Sequence, residues 1–326
     1  MKQIAIIIPQ GETSLSNIEA THKMFTKVNE AVERAGKPPL FQVRLVGLQP
    51  EVRLGNGLFT IKPELSITDP LRADMVVIPA THGDMREIIT QNEAFVPWIV
   101  RQYASGAEVV SLCIGAFILA STGLLNGKCC TTHWLAAAEF RELFPEVKLQ
   151  PYKILTDESG IYTSGGAYSS LNLILYLVEK YAGRDMALLS SKIFEIDIDR
   201  SSQSPFIIFN GQKEHEDEPI KKAQEFIEKN FTERITVDQL AAAFALGRRN
   251  LERRFKKATS NTVVEYIQRV KIEAAKLSLE STRENVNEVM YKVGYTDPKA
   301  FRITFKRLTG LSPVQYRAKY NRQIAV

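Results

Sequence analysis

Two hydrophobic rhythms divide the chain. Up to about residue 200, short runs dense in Val and Ile ("IAIIIP", "QVRLVGL", "ADMVVIPA" and "EVVSLCIG") alternate with longer stretches whose apolar residues recur every three or four positions. Short unbroken apolar runs mark strands buried on both faces, and the longer pattern marks helices, here over 18–35, 92–104 and 115–125. Strands alternating with helices predict an α/β domain, a parallel sheet sandwiched by helices. The block "KLQPYKILTDESGIYTSGG" reads as a hairpin turning at "DESG". The helix "SLNLILYLVEKYAG" follows and is closed by Gly183.

The rhythm then lapses. "DRSSQSPFIIFNGQKEHEDEP" has no clear period, so 201–218 reads as a connection between a first domain, 1–200, and a second, 219–326. The second domain is patterned for helices throughout, and it repeats itself at an offset of 50 residues. Phe255, Lys256, Thr259, Val264 and Tyr266 recur as Phe305, Lys306, Thr309, Val314 and Tyr316. Each copy has one plan. In the first, "TVDQLAAAF" has Thr236 as N-cap and is followed by the turn Ala245-Leu246-Gly247 and by "RRNLERRFKKAT". In the second, "NVNEVMYKV" leads through Gly294-Tyr295-Thr296 to "DPKAFRITFKRLT", with Asp297 as N-cap and Pro298 at the first helical position. Helix, short turn, helix is the plan of a helix-turn-helix, whose second helix lies in a DNA major groove. An all-α domain with two such units is expected, joined by one long helix, "VVEYIQRVKIEAAKLSLE".

Charge sharpens this. The net charge of +5 combines an acidic body with a basic tail: 1–218 hold 20 Lys and Arg against 26 Asp and Glu, and 219–326 hold 22 against 11. Such a tail points to an anionic polymer as partner. Helical spacing sends Leu251 and Phe255 inward on the first second-helix, leaving Arg248, Arg249, Asn250, Arg253 and Lys256 as contacts, with Glu252 interrupting them. On the other, Phe301, Phe305 and Leu308 go inward, and Lys299, Arg302, Lys306 and Arg307 face out. The basic residues thus sit where base edges and phosphates would be met. Strands bearing aromatic residues, the usual RNA-reading platform, are missing from this part of the pattern.

The first domain has one stretch of candidate chemistry. In "EVVSLCIGAFILASTGLL" a strand stops at Cys113 and passes Gly115 into a helix. The carboxyl ends of parallel strands are where such sheets bind ligands, and amides at a helix start activate a thiol. His133 in "CCTTHW" and His82 in "PATHGD" are candidate assistants. The three cysteines, Cys113, Cys129 and Cys130, follow no disulfide or metal-ligand spacing, which suits a reducing cytoplasm with no metal and no cofactor. "MKQIAIIIPQGE" is too short in its apolar run for a secretory signal, and no stretch reaches the length of a membrane span.

"SLCIGAFILASTGLLNGKCCTTHW" resembles the cysteine elbow of the DJ-1/PfpI superfamily, also called class I glutamine-amidotransferase-like, over roughly residues 2–185. The resemblance implies a flavodoxin-like sheet, an elbow cysteine at Cys113 with His133 nearby, and a glutamate hydrogen-bonded to the sulfur. Ser16 stands where that acid is expected, with Glu12 and Glu19 as alternatives. Ile114 replaces the histidine of protease-like members, and Pro79-Ala80-Thr81 replaces their "PGG" turn. The expected pocket comprises Cys113, Ile114, Thr81, His82, His133 and Ser16. "ITVDQLAAAFALGRRNLERRFKKAT" and "VNEVMYKVGYTDPKAFRITFKRLTGLSPVQYR" resemble the AraC/XylS domain. The first copy departs by carrying Ser260-Asn261-Thr262-Val263 in place of the second's Gly310-Leu311-Ser312-Pro313, so a different corner is expected there. Together the two domains have the arrangement of GlxA-like regulators. The reading is a cytoplasmic transcriptional regulator, not an enzyme, whose partners are double-stranded promoter DNA, an unidentified small-molecule effector, a second copy in a homodimer, and RNA polymerase. The alternative is a cysteine-dependent amidase, peptidase or glyoxalase-like enzyme using Cys113 and His133.

Overall fold

The computed structural model describes residues 1–198, 200, 202–213 and 215–321. They cluster into two units, Met1–Gln203 and the chain from Ser204 onward.

The first unit is built on a seven-stranded sheet. Its strands are β1 (Lys2–Ile8), β2 (Phe41–Gly47), β3 (Leu65–Ser66), β4 (Met75–Ile78), β5 (Glu108–Ser111), β6 (Leu155–Glu158) and β7 (Ile161–Ser164). Their spatial order is β6-β7-β5-β4-β1-β2-β3, and all neighbours are parallel except the edge hairpin β6–β7. The continuous apolar runs follow from burial on both faces. Ile4, Ile6, Ile8, Met75 and Val77 point to one layer, with α1 (Leu15–Arg34), α6 (Ser169–Ala182) and α7 (Arg184–Ile193). Ala5, Ile7, Val76 and Ile78 point to the other, with α2 (Met85–Gln91), α3 (Phe95–Ala104), α4 (Ala116–Ser121) and α5 (Ala137–Leu143). The sandwich is thus the α/β architecture that the alternation predicts. Helix α4 is shorter than the expected 115–125. Cys113–Gly115 form a 3-10 turn before it, and Gly123 takes a positive φ after it.

The second unit opens on a 3-10 turn, Ser204–Phe206, and holds seven α-helices among the described residues: α8 (Glu218–Asn230), α9 (Val237–Ala243), α10 (Arg248–Thr259), α11 (Val263–Ser281), α12 (Val286–Lys292), α13 (Pro298–Thr309) and α14 (Pro313–Tyr320). Helix α11 belongs to two small cores. Its Val263, Tyr266 and Ile267 join Ile220, Leu240, Leu251 and Phe255. Its Ile272, Ala275 and Leu279 join Val289, Met290, Phe301 and Phe305. The repeat is visible atom by atom. Phe255 meets Tyr266 edge-on at 5.3 Å, and Phe305 meets Tyr316 at 5.4 Å. The corners match as well, contrary to the expectation from sequence. Ser260 adopts the left-handed conformation (φ 56°) that Gly310 adopts (φ 76°), and capping boxes Thr262–Glu265 and Ser312–Gln315 start the next helices. Residues 204–213 and 215–217, within the stretch read as a connection, belong to this unit, and Phe209 lies against Tyr266 at 5.1 Å; residue 201 at the start of that stretch and residue 214 lie outside the described residues.

Candidate functional site

Each helix-turn-helix is set by local chemistry. A capping box between Thr236 and Gln239 starts α9, and Ala245 at φ 52° makes the turn into α10. Leu251 and Phe255, fully buried, fix which face of α10 turns inward. Arg248, Arg249, Asn250, Arg253 and Lys256 are consequently all exposed. They are not equivalent. Arg248 is held by Asp238 at 3.1 Å and Glu252 at 3.4 Å, and Arg253 donates to Asn250 at 3.1 Å. The side chains of Arg249 and Lys256 have no hydrogen bond or ion pair among the described residues. An open groove of 620 Å³ runs along this face, lined by Arg249, Glu252, Arg253, Lys256 and Val264.

Helix α13 repeats the plan. Asp297 caps it by accepting from the Lys299 amide at 2.8 Å, and Phe301 and Phe305 are buried. Lys299, Arg302, Lys306 and Arg307 are exposed, and only Arg307 is engaged among the described residues, donating to Gln268 at 2.6 Å. Lys299 and Lys306 stand where the first copy has Arg249 and Lys256, while Arg302 stands where it has Glu252. Unpaired cations on two repeated helices make a surface that gains most from polyanion contact, because counterions are released when phosphates are neutralised. Of 19 residues, α11 spans about 28 Å, close to the roughly 34 Å between successive major grooves.

The elbow of the first unit is tightly built. Cys113 sits at φ 55°, a strained conformation for a residue with a side chain. Its amide donates to Ser164 Oγ at 3.0 Å, and its carbonyl accepts from Thr132 Oγ1 at 3.0 Å. Gly115 allows the close approach to β4, since a Cβ there would lie 2.5 Å from the Ile78 carbonyl oxygen. Burial pushes the thiol pKa up, while the backbone N–H groups of Ala167 and Ile114, which face it, pull the other way. His133 uses Nδ1 to accept the Leu135 amide at 3.1 Å, so its neutral ring carries the proton on Nε2. Burial first, and then neighbouring His82, hold its pKa below the ordinary value.

The remaining pocket candidates are differently employed. Thr81 is buried and shares a hydrogen bond with Thr13 at 3.0 Å. His82 is exposed and pairs with Glu12 across a short two-stranded ladder. Ile114 is buried, its amide at the thiol. Ser16 is exposed and bonds Ser14 at 3.0 Å, not the sulfur. Glu12 takes the amides of Gly55 and Asn56 at 2.8 and 3.3 Å, and Glu19 pairs with Lys23 at 3.3 Å. Among the described residues no hydrogen bond joins Cys113 to His133 or to a carboxylate. What faces the thiol is a pair of backbone amides, those of Ala167 and Ile114.

Two residues missed in the sequence complete the elbow. Asn17, one position past Ser16, is buried; it accepts the Ala80 amide at 3.1 Å and donates to Ser170 at 3.2 Å. Gln203 is 2% exposed, accepts the Gly166 amide at 2.7 Å, and donates to the carbonyls of Thr132 and Lys153 at 3.0 and 2.9 Å. Nothing in the pattern around Gln203 announces it, because its side-chain partners lie 37 to 72 positions away. Asn17 could have been found from the helical face it shares with Thr21, Met24 and Val28.

The family comparisons fall on both units. Residues 25–180 match the DJ-1/PfpI family, and residues 240–319 match a helix-turn-helix domain. The transcriptional regulator GbdR of Pseudomonas aeruginosa is 26% identical over 274 residues, covering 81% of this chain and 71% of that protein. Isonitrile hydratase of Pseudomonas putida is 26% identical over 147 residues, 45% of this chain and 60% of that enzyme. In fold, the crystal structure of a putative transcriptional regulator protein from Vibrio parahaemolyticus superposes with a TM-score of 0.53 at 22% identity, covering 59% of this chain and 98% of that one.

Proposed function

The chain is an AraC-family transcriptional regulator with a DJ-1/PfpI domain, and on that premise we propose that α10 and α13 enter successive major grooves on one face of promoter DNA. The observation that carries this reading is the pair of repeated helices whose Arg249, Lys256, Lys299, Arg302 and Lys306 are exposed and unpaired among the described residues. Arg249 and Arg302 read base edges, and the lysines hold phosphates. The elbow of the first unit takes a small-molecule effector, with Cys113, Ile114 and His133 at its floor. It does not turn that molecule over, because neither a histidine nor a carboxylate is bonded to the thiol among the described residues.

The protein acts as a homodimer in the cytoplasm, where paired half-sites supply the specificity that one reading unit lacks, and RNA polymerase is the machinery it regulates. Its three cysteines are free thiols, and among the described residues no helix is long and apolar enough to cross a membrane.

The test begins with full-length protein selecting duplexes from a random pool, followed by hydroxyl-radical footprinting. Each protomer should protect two stretches on one face about 10 base pairs apart. A single stretch would remove one helix from the reading, and no selection at all would remove both. Light scattering of the same preparation should return twice the monomer mass. Assays of amide and ester hydrolysis should give no Cys113-dependent rate; a rate lost in Cys113→Ser would restore the enzymatic alternative.

A further inference from the structure

Gln203 stands one covalent step from the parts of the elbow that matter. It accepts the Gly166 amide, and the next amide, that of Ala167, faces the Cys113 thiol. It donates to the carbonyl of Thr132, whose hydroxyl holds the Cys113 carbonyl and whose successor is His133. The fit is tight: a Cβ on Gly165 would lie 2.3 Å from the Gln203 amide carbon. A shift of 165–167 that makes room for a ligand therefore has to move Gln203.

The chain leaves Gln203 straight into a segment that spans both halves of the second unit. Near its start, Pro205 accepts from Tyr320 at 3.4 Å, and Lys319 lies over the Phe206 ring at 5.2 Å, both on the second half. The Ile207 carbonyl accepts from Lys276 of α11 at 2.7 Å, and Lys276 is buried and paired with Glu273 at 2.8 Å. Further on, the Phe209 ring packs on Tyr266 in the first half, and the Gln212 carbonyl accepts from Gln224 of α8 at 2.9 Å. Besides α11, this is a second tie across the two reading units, and it continues directly from the elbow's clamp.

We propose that residues 204–212 are a coupling strap, through which the seating of Gln203 at the elbow and the spacing of α10 and α13 on DNA bias one another. The proposal rests on the DNA-reading assignment above. When both helices are seated on DNA, the strap's anchors on the two halves are fixed together. Gln203 is then held in place, and the elbow opens less often. Coupling of two equilibria is reciprocal, so an effector that displaces Gln203 loosens DNA binding by the same factor.

Reciprocity allows a test without the effector. Full-length protein is treated with iodoacetamide, with and without saturating duplex obtained by selection from a random pool, and alkylation of the Cys113 peptide is followed by mass spectrometry. Binding of the duplex is checked by gel shift in the same samples. DNA should slow Cys113 alkylation by about fivefold or more, the lower end of ordinary coupling. In Lys276→Met, which removes the anchor on Ile207 but keeps the aliphatic stem, and in Phe209→Ala, bound duplex should leave the rate within about twofold of the free protein. Circular dichroism identifies the variants that fold, and one folded variant suffices. An unchanged rate in wild type with duplex bound overturns the coupling, as does slowing that persists in a folded, strap-detached variant. Failure of wild type to bind any duplex overturns the DNA-reading assignment and the coupling with it.

Discussion

Gly166 lies so close to His133 that a methyl group on it would fall 2.1 Å from the imidazole Cδ2. No real Cβ tolerates that approach, so Gly166→Ala has to push the ring or the loop away. The substitution should cost about 1–3 kcal/mol, as overpacking of a filled site does. In His133→Ala the obstruction is gone. Adding Gly166→Ala to that background should then cost well under 1 kcal/mol, an antagonistic coupling of the kind seen between residues in contact. Urea unfolding of the four proteins in this cycle measures it, and strict additivity would disprove the steric account.

The elbow's two titrating groups affect stability in opposite pH windows. Folding depresses His133 below 6.5, so its contribution is full above that value and is lost as pH falls through the folded-state pKa. Folding raises Cys113 above 9.0, so its contribution is full below the unfolded thiol value and is lost as pH climbs past it. The urea midpoint should therefore fall on acidification from pH 7.5 to 5.5 by less in His133→Gln than in wild type. From pH 8 to 10 it should fall by less in Cys113→Ser. Parallel pH profiles for a variant and wild type would show that the group in question is not held as the structure places it.

Ser260 occupies, at φ 56°, the left-handed corner that Gly310 occupies in the second copy. Its amide still closes the helix on the Lys256 carbonyl at 2.9 Å, as Gly310 does on Lys306 at 2.8 Å. A side chain in that conformation costs about 1 kcal/mol or somewhat more, and glycine removes the penalty. Ser260→Gly should accordingly stabilise the second unit by about 1 kcal/mol, with affinity for a selected duplex unchanged. A neutral or destabilising result in urea would mean that the Ser260 side chain makes compensating contacts.

The same corner shows what the sequence conveys and where it stops. Burial periodicity located Leu251, Phe255, Phe301 and Phe305, and with them the exposed faces of α10 and α13, because one helix face against one core is a local constraint. A corner geometry that serine and glycine can both adopt is not a constraint on residue type, so Ser260 read as a departure. Ser16 and Asn17 differ by one register position in the first turn of α1. A shift of about 100° around the helix decides which of them reaches Ala80 and Ser170. The strap defeated the reading for another reason. Pro205 lies in a 3-10 turn and meets α14, whereas Ile207 and Phe209 meet α11 at two different levels, so no single period of 2 or 3.6 arises and the stretch reads only as a connection.

Arg248 separates a surface charge from a reading one. Its guanidinium is tied to Asp238 and Glu252 within α9 and α10, whereas Arg249, the next residue, and Arg302, on α13, have no partner among the described residues. An arginine already satisfied has less to gain from a phosphate or a base and must first give up its own partners. On a duplex obtained by selection, Arg249→Ala and Arg302→Ala should each lose about 1–3 kcal/mol of binding and relax preference at the base each one reads. Arg248→Ala should lose less than either. Lys256→Ala and Lys306→Ala should weaken all sequences alike and lower the slope of log K against log salt by about 1 each. Glu252→Gln should tighten binding, since it removes the one carboxylate that interrupts the basic face of α10 and releases Arg248. Fluorescence anisotropy over a potassium chloride series measures all six variants beside wild type. If Arg248→Ala proved the most damaging substitution, its intramolecular pairing would have to be abandoned on DNA, and the division of labour along α10 would need to be redrawn around it.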